Sequence, residues 1–287
     1  MRASILATAA LAAVILTGCA GPVADQSTVD PKQNATVGTL DDEQEILDPS
    51  VLVGTWKVSD AKGMEPDTWL RLGEEATVSF DCGNVGGSWT ARDDAFLAQW
   101  EWSEVSCDFG NDNPVPWLDE ATAYAQAGDS LVLLDADGKT VATLTDDGAP
   151  PRAATDPHDP FSGEVELTDQ VRATIRDGIP LPDEATPTDD LLGRWVPTDD
   201  VGPTRAFVEF GESGYMSSDG CNQSGGRWVV GSSGSLLSTN IGTTFMACDN
   251  MYSIDGLIGG AVAVGMVADE LTFYGPSGSR LGAIVRE

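Results

Sequence analysis

Histidine is nearly absent from this sequence. The single one, His158, sits in a Pro- and Asp-rich stretch between two similar halves. Serine or cysteine nucleophiles activated by histidine are therefore not expected, and zinc sites lose their commonest nitrogen ligand. Positive charge is also scarce. Fifteen Lys and Arg stand against 46 Asp and Glu, a formal charge of −31. A surface this acidic repels nucleic acid and anionic lipid head groups, so neither is an expected partner. No apolar run reaches the ~20 residues of a spanning helix. Residues 5–15 and 259–267 are the longest candidates, and both are too short. No phosphate loop or dinucleotide fingerprint occurs, and no cofactor is expected. Carboxylates are plentiful, but the sequence singles out no pair as acid and base.

What is present is a repeat. Asp219-Gly220-Cys221-Asn222-Gln223-Ser224-Gly225-Gly226-Arg227-Trp228 has an earlier, diverged copy in Phe80-Asp81-Cys82-Gly83-Asn84-Val85-Gly86-Gly87-Ser88-Trp89. The cysteines stand 139 apart (221 − 82), and the same offset carries Trp56 onto Trp195. One unit used twice predicts two domains, residues 51–147 and 191–287, joined by a linker over 148–190.

The N-terminal stretch reads as an export signal. Arg2 precedes the short apolar core, and the run ends in Leu16-Thr17-Gly18-Cys19. That ending resembles a bacterial lipobox. The resemblance implies a signal peptide over residues 1–18 and a diacylglyceryl lipid on Cys19. The protein would then lie on the extracytoplasmic face of the cell membrane, where two acyl chains make a stable anchor. Residues 20–50 lack aromatic side chains and are rich in Asp, Glu, Thr, Pro and Gln, so a flexible tether over 19–50 is expected.

Five cysteines fit this arrangement. With Cys19 lipidated, each repeat keeps two, Cys82 with Cys107 and Cys221 with Cys248. Matched, even cysteines in an exported protein read as disulfides, each worth ~3 kcal/mol by loop closure. Free buried thiols are the alternative.

Short alternating segments predict strands: Leu52–Val58, Trp69–Leu72, Ala76–Phe80, Ser88–Ala91 and Ala95–Trp102, with counterparts in the second copy. Helices are expected over Pro116–Ala127 and Ser253–Val267. A short one is expected over Leu167–Arg176, capped by Thr168 and packed on the second copy. Asp135-Ala136-Asp137-Gly138-Lys139 reads as a hairpin turn rather than a calcium loop, for which ligands are too few. Gly86-Gly87 and Gly225-Gly226 are expected where backbone approaches closely or takes positive φ. Trp89 and Trp228 are expected in the core, with a ligand groove as the alternative for them.

Gly-Arg-Trp at 193–195, Gly220-Cys221-Asn222 with Gly225-Gly226, and Met246-Ala247-Cys248 before a helix and final hairpin resemble the META (HslJ-like) domain. The first copy resembles it more weakly, with Gly83 in place of Asn222 and Val105 in place of Met246. The resemblance implies a mainly β (α+β) fold, two small barrel-like domains each with one helix, and a loose link to envelope stress. A non-enzymatic binding or structural module of the envelope is the expected function, with an envelope protein or a small ligand as its partner. A carboxylate-dependent hydrolase of a cell-wall polymer is the rival.

Overall fold

The computed structural model describes residues 47–65, 67–106, 113–198, 205–212, 214–240, 242–244, 246–247 and 252–287. The fold is mainly β. In the first repeat, eight antiparallel strands run in sequence order around a closed barrel. They are β1 (Gly54–Ser59), β2 (Trp69–Leu72), β3 (Ala76–Phe80), β4 (Gly83–Arg92), β5 (Ala95–Val105), β6 (Ala123–Ala127), β7 (Ser130–Leu134) and β8 (Thr140–Thr145). Helix α1 (Pro116–Glu120) lies between β5 and β6. Leu70, Leu72, Val78, Phe96, Leu133 and Leu144 fill the interior. Alternation along each strand sends these side chains to one face, and closure leaves few free sheet edges.

Two more elements follow, α2 (Asp169–Thr174) and β9 (Thr186–Pro187). The second repeat then lays down β10 (Gly193–Pro197), β11 (Phe207–Gly211), β12 (Gly214–Ser218), β13 (Gln223–Gly226), β14 (Trp228–Val230), β15 (Leu236–Ser238), β16 (Gly242–Thr243), α3 (Ile254–Gly260), β17 (Ala263–Val267), β18 (Glu270–Tyr274) and β19 (Arg280–Arg286). Most of these strands form a nine-stranded sheet in the order β16-β13-β12-β11-β10-β19-β18-β17-β9, with β14-β15 a separate pair.

Among the described residues the second repeat is not a closed barrel, but several local features recur at equivalent positions. Trp56 Nε1 donates to Leu52 O at 2.8 Å, and Trp195 Nε1 to Leu191 O at 2.7 Å. The seam Ala95↔Ala123 in the first repeat recurs as the bridge Ser235↔Ala263 in the second. The β7–β8 pair has its irregularity at Leu133/Leu134, and β18–β19 at Phe273/Tyr274.

The helix expected over Pro116–Ala127 is only its first turn. From Ala123 the chain is strand β6, with Tyr124 buried and its neighbours more exposed. The helix expected over Ser253–Val267 likewise stops at Gly260, and Ala263–Val267 is strand β17. Gly259-Gly260 weakens the helix, and Val262, Val264 and Val267 favour the extended chain that follows.

Residues 148–190 are not a bare linker. Phe161 is fully buried, and Arg152 donates to Phe80 O at 3.2 Å and pairs with Asp159 at 2.9 Å. Helix α2 has the expected cap, Thr168 Oγ1 accepting from Val171 N. It packs on the first repeat rather than the second: Ile175 joins the first core, and Thr90 Oγ1 donates to Thr174 O. The end of the expected tether is also structured. Asp48 accepts from Ser50 N, a 3-10 turn spans Pro49–Leu52, and Leu47 packs on the first core. Residues 19–46 of that tether, and the signal segment 1–18, lie outside the described residues.

Candidate functional site

The described residues form one compact unit, and the two repeats meet inside it. Each contributes the same hairpin to the junction: β4–β5 from the first, β14–β15 from the second. Ala95, Leu97, Val229 and Leu237 make a small apolar cluster there. Leu97 and Leu237 are equivalent positions, so the contact is close to two-fold symmetric.

Polar groups lock the junction. Arg92 is 8% exposed, and its Nη1 donates to Leu236 O at 2.7 Å and Val262 O at 3.2 Å. Asp93 accepts from Ser233 Oγ at 2.6 Å, from Gly178 N at 2.9 Å, and from Ser235 Oγ. Burial alone would raise the Asp93 carboxyl. These hydrogen bonds and the Arg92 charge outweigh it and hold the group below its ordinary 3.8. Asp94 accepts from Ser232 N. On the other side Arg227 reaches from the second repeat to Ala98 O, Asp119 O and the Asp119 carboxylate. Burial raises the Asp119 carboxyl even with Arg227 beside it. By sequence alone Arg92-Asp93-Asp94 is a polar turn between two strands. The signal lay in the pairing of that turn with the Ser-rich turn at the same place in the other copy.

Beside this junction lies a cleft of about 490 Å³ with walls from both repeats. Ala95, Ala123, Leu192, Trp228 and Val229 supply apolar surface, and Asp94, Asp135, Asp189 and Glu212 stand around it. No Lys or Arg among the described residues lines it. Two smaller hollows, of about 290 and 390 Å³, lie where the connecting segment crosses the barrel. The size and apolar surface of the junction cleft suit a small ligand.

The two repeat tryptophans part company here. Trp89 is 3% exposed in the first core and donates Nε1 to Gly73 O at 2.8 Å. Trp228 is only partly buried. Its Nε1 donates to Gly211 O at 3.0 Å, its ring meets Phe210 edge-on at 5.3 Å, and it lines the cleft. Trp89 is a core residue, whereas Trp228 packs on the second core and also faces the cleft.

The carboxylates of the cleft are not alike. Asp135 accepts from Asp137 N and Lys139 N and so shapes the expected hairpin turn. Asp94 is held by Ser232 N. Asp189 and Glu212 have no ion-pair partner among the described residues. No group of three or more metal-ligating side chains occurs among the described residues.

The motif around Cys221 serves the fold. Asp219 accepts from Cys221 N and Asn222 N, and the Asn222 amide joins both backbone groups of Met246. In the first repeat the corresponding residues, Gly83 and Val105, face each other as a strand pair. The two positions that differ together between the copies are thus contact partners. Cys82 and Cys221 are not free thiols. Cys19, Cys107 and Cys248 lie outside the described residues. Comparison with protein-family models, with curated proteins and with solved structures gives no match for this chain.

Proposed function

We propose that this chain is a lipid-anchored, META-like binding module on the extracytoplasmic face of the cell membrane. Cys19 carries the lipid, and disulfides join Cys82 to Cys107 and Cys221 to Cys248. The export-like N-terminal run, the scarcity of positive charge and the matched cysteines support the location. The observation that carries binding is the junction cleft, which sets Trp228 of the second repeat against walls drawn from both repeats. Two of its four carboxylates are engaged by backbone N–H groups, an arrangement suited to a rigid binding wall rather than to a mobile acid–base pair.

Mass spectrometry of the N-terminal peptide and membrane fractionation test the anchor. The expected result is a diacylglyceryl mass on Cys19 and release of the protein by Cys19→Ala. An unmodified Cys19, or membrane retention of the variant, would overturn it. Ligand-detected NMR with a library of small organic compounds tests the binding role. Hits lost in Trp228→Leu support the reading, and activity toward cell-wall polymers without any such hit would favour the hydrolase.

A further inference from the structure

The near two-fold junction has two equivalent corners, and they are built differently. In one, Arg92 of the first repeat inserts its guanidinium into the second and donates to Leu236 O and Val262 O. By the strand pairing Ala91↔Phe96 and Val230↔Leu236, the residue equivalent to Arg92 is Gly231. The groups equivalent to Leu236 and Val262 are Phe96 and Thr122, joined by the same bond: Phe96 N donates to Thr122 O at 2.9 Å, and Leu236 N to Val262 O at 3.0 Å. Gly231 and Thr122 both line the 490 Å³ cleft. The cleft therefore opens beside the mate of a socket that holds a guanidinium, with glycine where its twin has arginine.

We propose that the cleft binds a small amphiphilic cation, a guanidinium or ammonium group on an apolar body. This rests on reading the cleft as a binding site and names the ligand class. Three independent features point to it. The mate corner shows that this backbone arrangement accepts a guanidinium. The Trp228 ring and the Val229, Leu192 and Ala136 surfaces take an apolar body, and an indole face attracts a cation. Asp189 and Glu212 offer carboxylates without ion-pair partners among the described residues, and no cation among those residues lines the cleft to compete. In a cleft with low-dielectric walls, charges of one sign add to a focused potential.

The test titrates the full chain carrying Cys19→Ala, which removes acyl chains that would absorb the probe. Three probes share one apolar body: 1-naphthylmethylguanidinium, 1-naphthalenemethanol and 1-naphthaleneacetate. Isothermal titration should show the guanidinium binding at least tenfold more tightly than the alcohol, with no binding of the acetate. Asp189→Asn/Glu212→Gln should weaken the cation several-fold and leave the alcohol unchanged, and added salt should act in the same direction. These two side chains make no other polar contact among the described residues, so the variant should fold. Trp228→Leu should weaken both. Equal binding of cation and alcohol would overturn the cation class while leaving the cleft a binding site. Failure of all three probes to bind would overturn both readings.

Discussion

A glycine is tested by asking what its missing Cβ would strike. At Gly87 it would lie 2.0 Å from Gln99 O, and at Gly226 1.8 Å from Thr239 O. Neither residue has positive φ, so close backbone approach is what each position demands. Gly87→Ala and Gly226→Ala are each expected to cost about 2–3 kcal/mol, read as a lowered urea midpoint. Gly128 is the contrast. It has φ +64° and open space around it, so Gly128→Ala should cost about 1 kcal/mol from backbone strain alone. The tryptophans divide similarly. Trp89→Ala should cost about 3–5 kcal/mol, as core truncations of this size do. Trp228→Ala should cost clearly less, because the side chain is only partly buried. A Trp228→Ala loss as large as that of Trp89→Ala would contradict its place on the cleft wall.

The strands were the legible elements. Trp69–Leu72 and Ala76–Phe80 match their expected bounds, because alternation is a local signal that closure of the barrel reinforces. Helix length was less legible. Tyr124 falls on the apolar side of a helix and also of a strand, and only its pairing with Leu133 settles the matter. The connection misled for a related reason: Pro and Asp mark turns whether or not they pack, yet Phe161 is fully buried and Arg152 reaches Phe80, far away in sequence. The cap of α2 needed only three residues to be read. Thr168→Ala should cost about 1 kcal/mol and act locally, as faster hydrogen exchange in residues 169–174 with little change elsewhere. The cleft was illegible because each wall belongs to a different repeat. Sequence offered Trp89 and Trp228 as equivalent residues, in the core or alternatively on a groove, and only the junction separates their surroundings.

At the scale of the whole molecule, the two copies behave as one body because their shared surfaces have diverged into complements. One turn carries Arg92, Asp93 and Asp94, and the other carries Ser232, Ser233 and Ser235. Removing Arg92 leaves two buried carbonyls without its donor, so Arg92→Ala should destabilise by about 1–3 kcal/mol. Acid should act at the same place. The Asp93 carboxyl is depressed in the folded state, so its contribution is fully present above the ordinary value of 3.8 and is lost as pH falls through the depressed one. Below pH 3.8 the parent protein should therefore lose urea stability faster than Asp93→Asn, and parallel losses would refute that role.

The cleft exists only while the junction holds, so the cooperativity of unfolding tests the account most directly. Differential scanning calorimetry of the full chain should give one transition, with calorimetric and van't Hoff enthalpies in agreement. Arg92→Ala/Asp93→Asn should broaden or split it. Two separate transitions in the parent protein, unaffected by that double substitution, would contradict the account: the repeats would then be independent domains, and the cleft between them no fixed site.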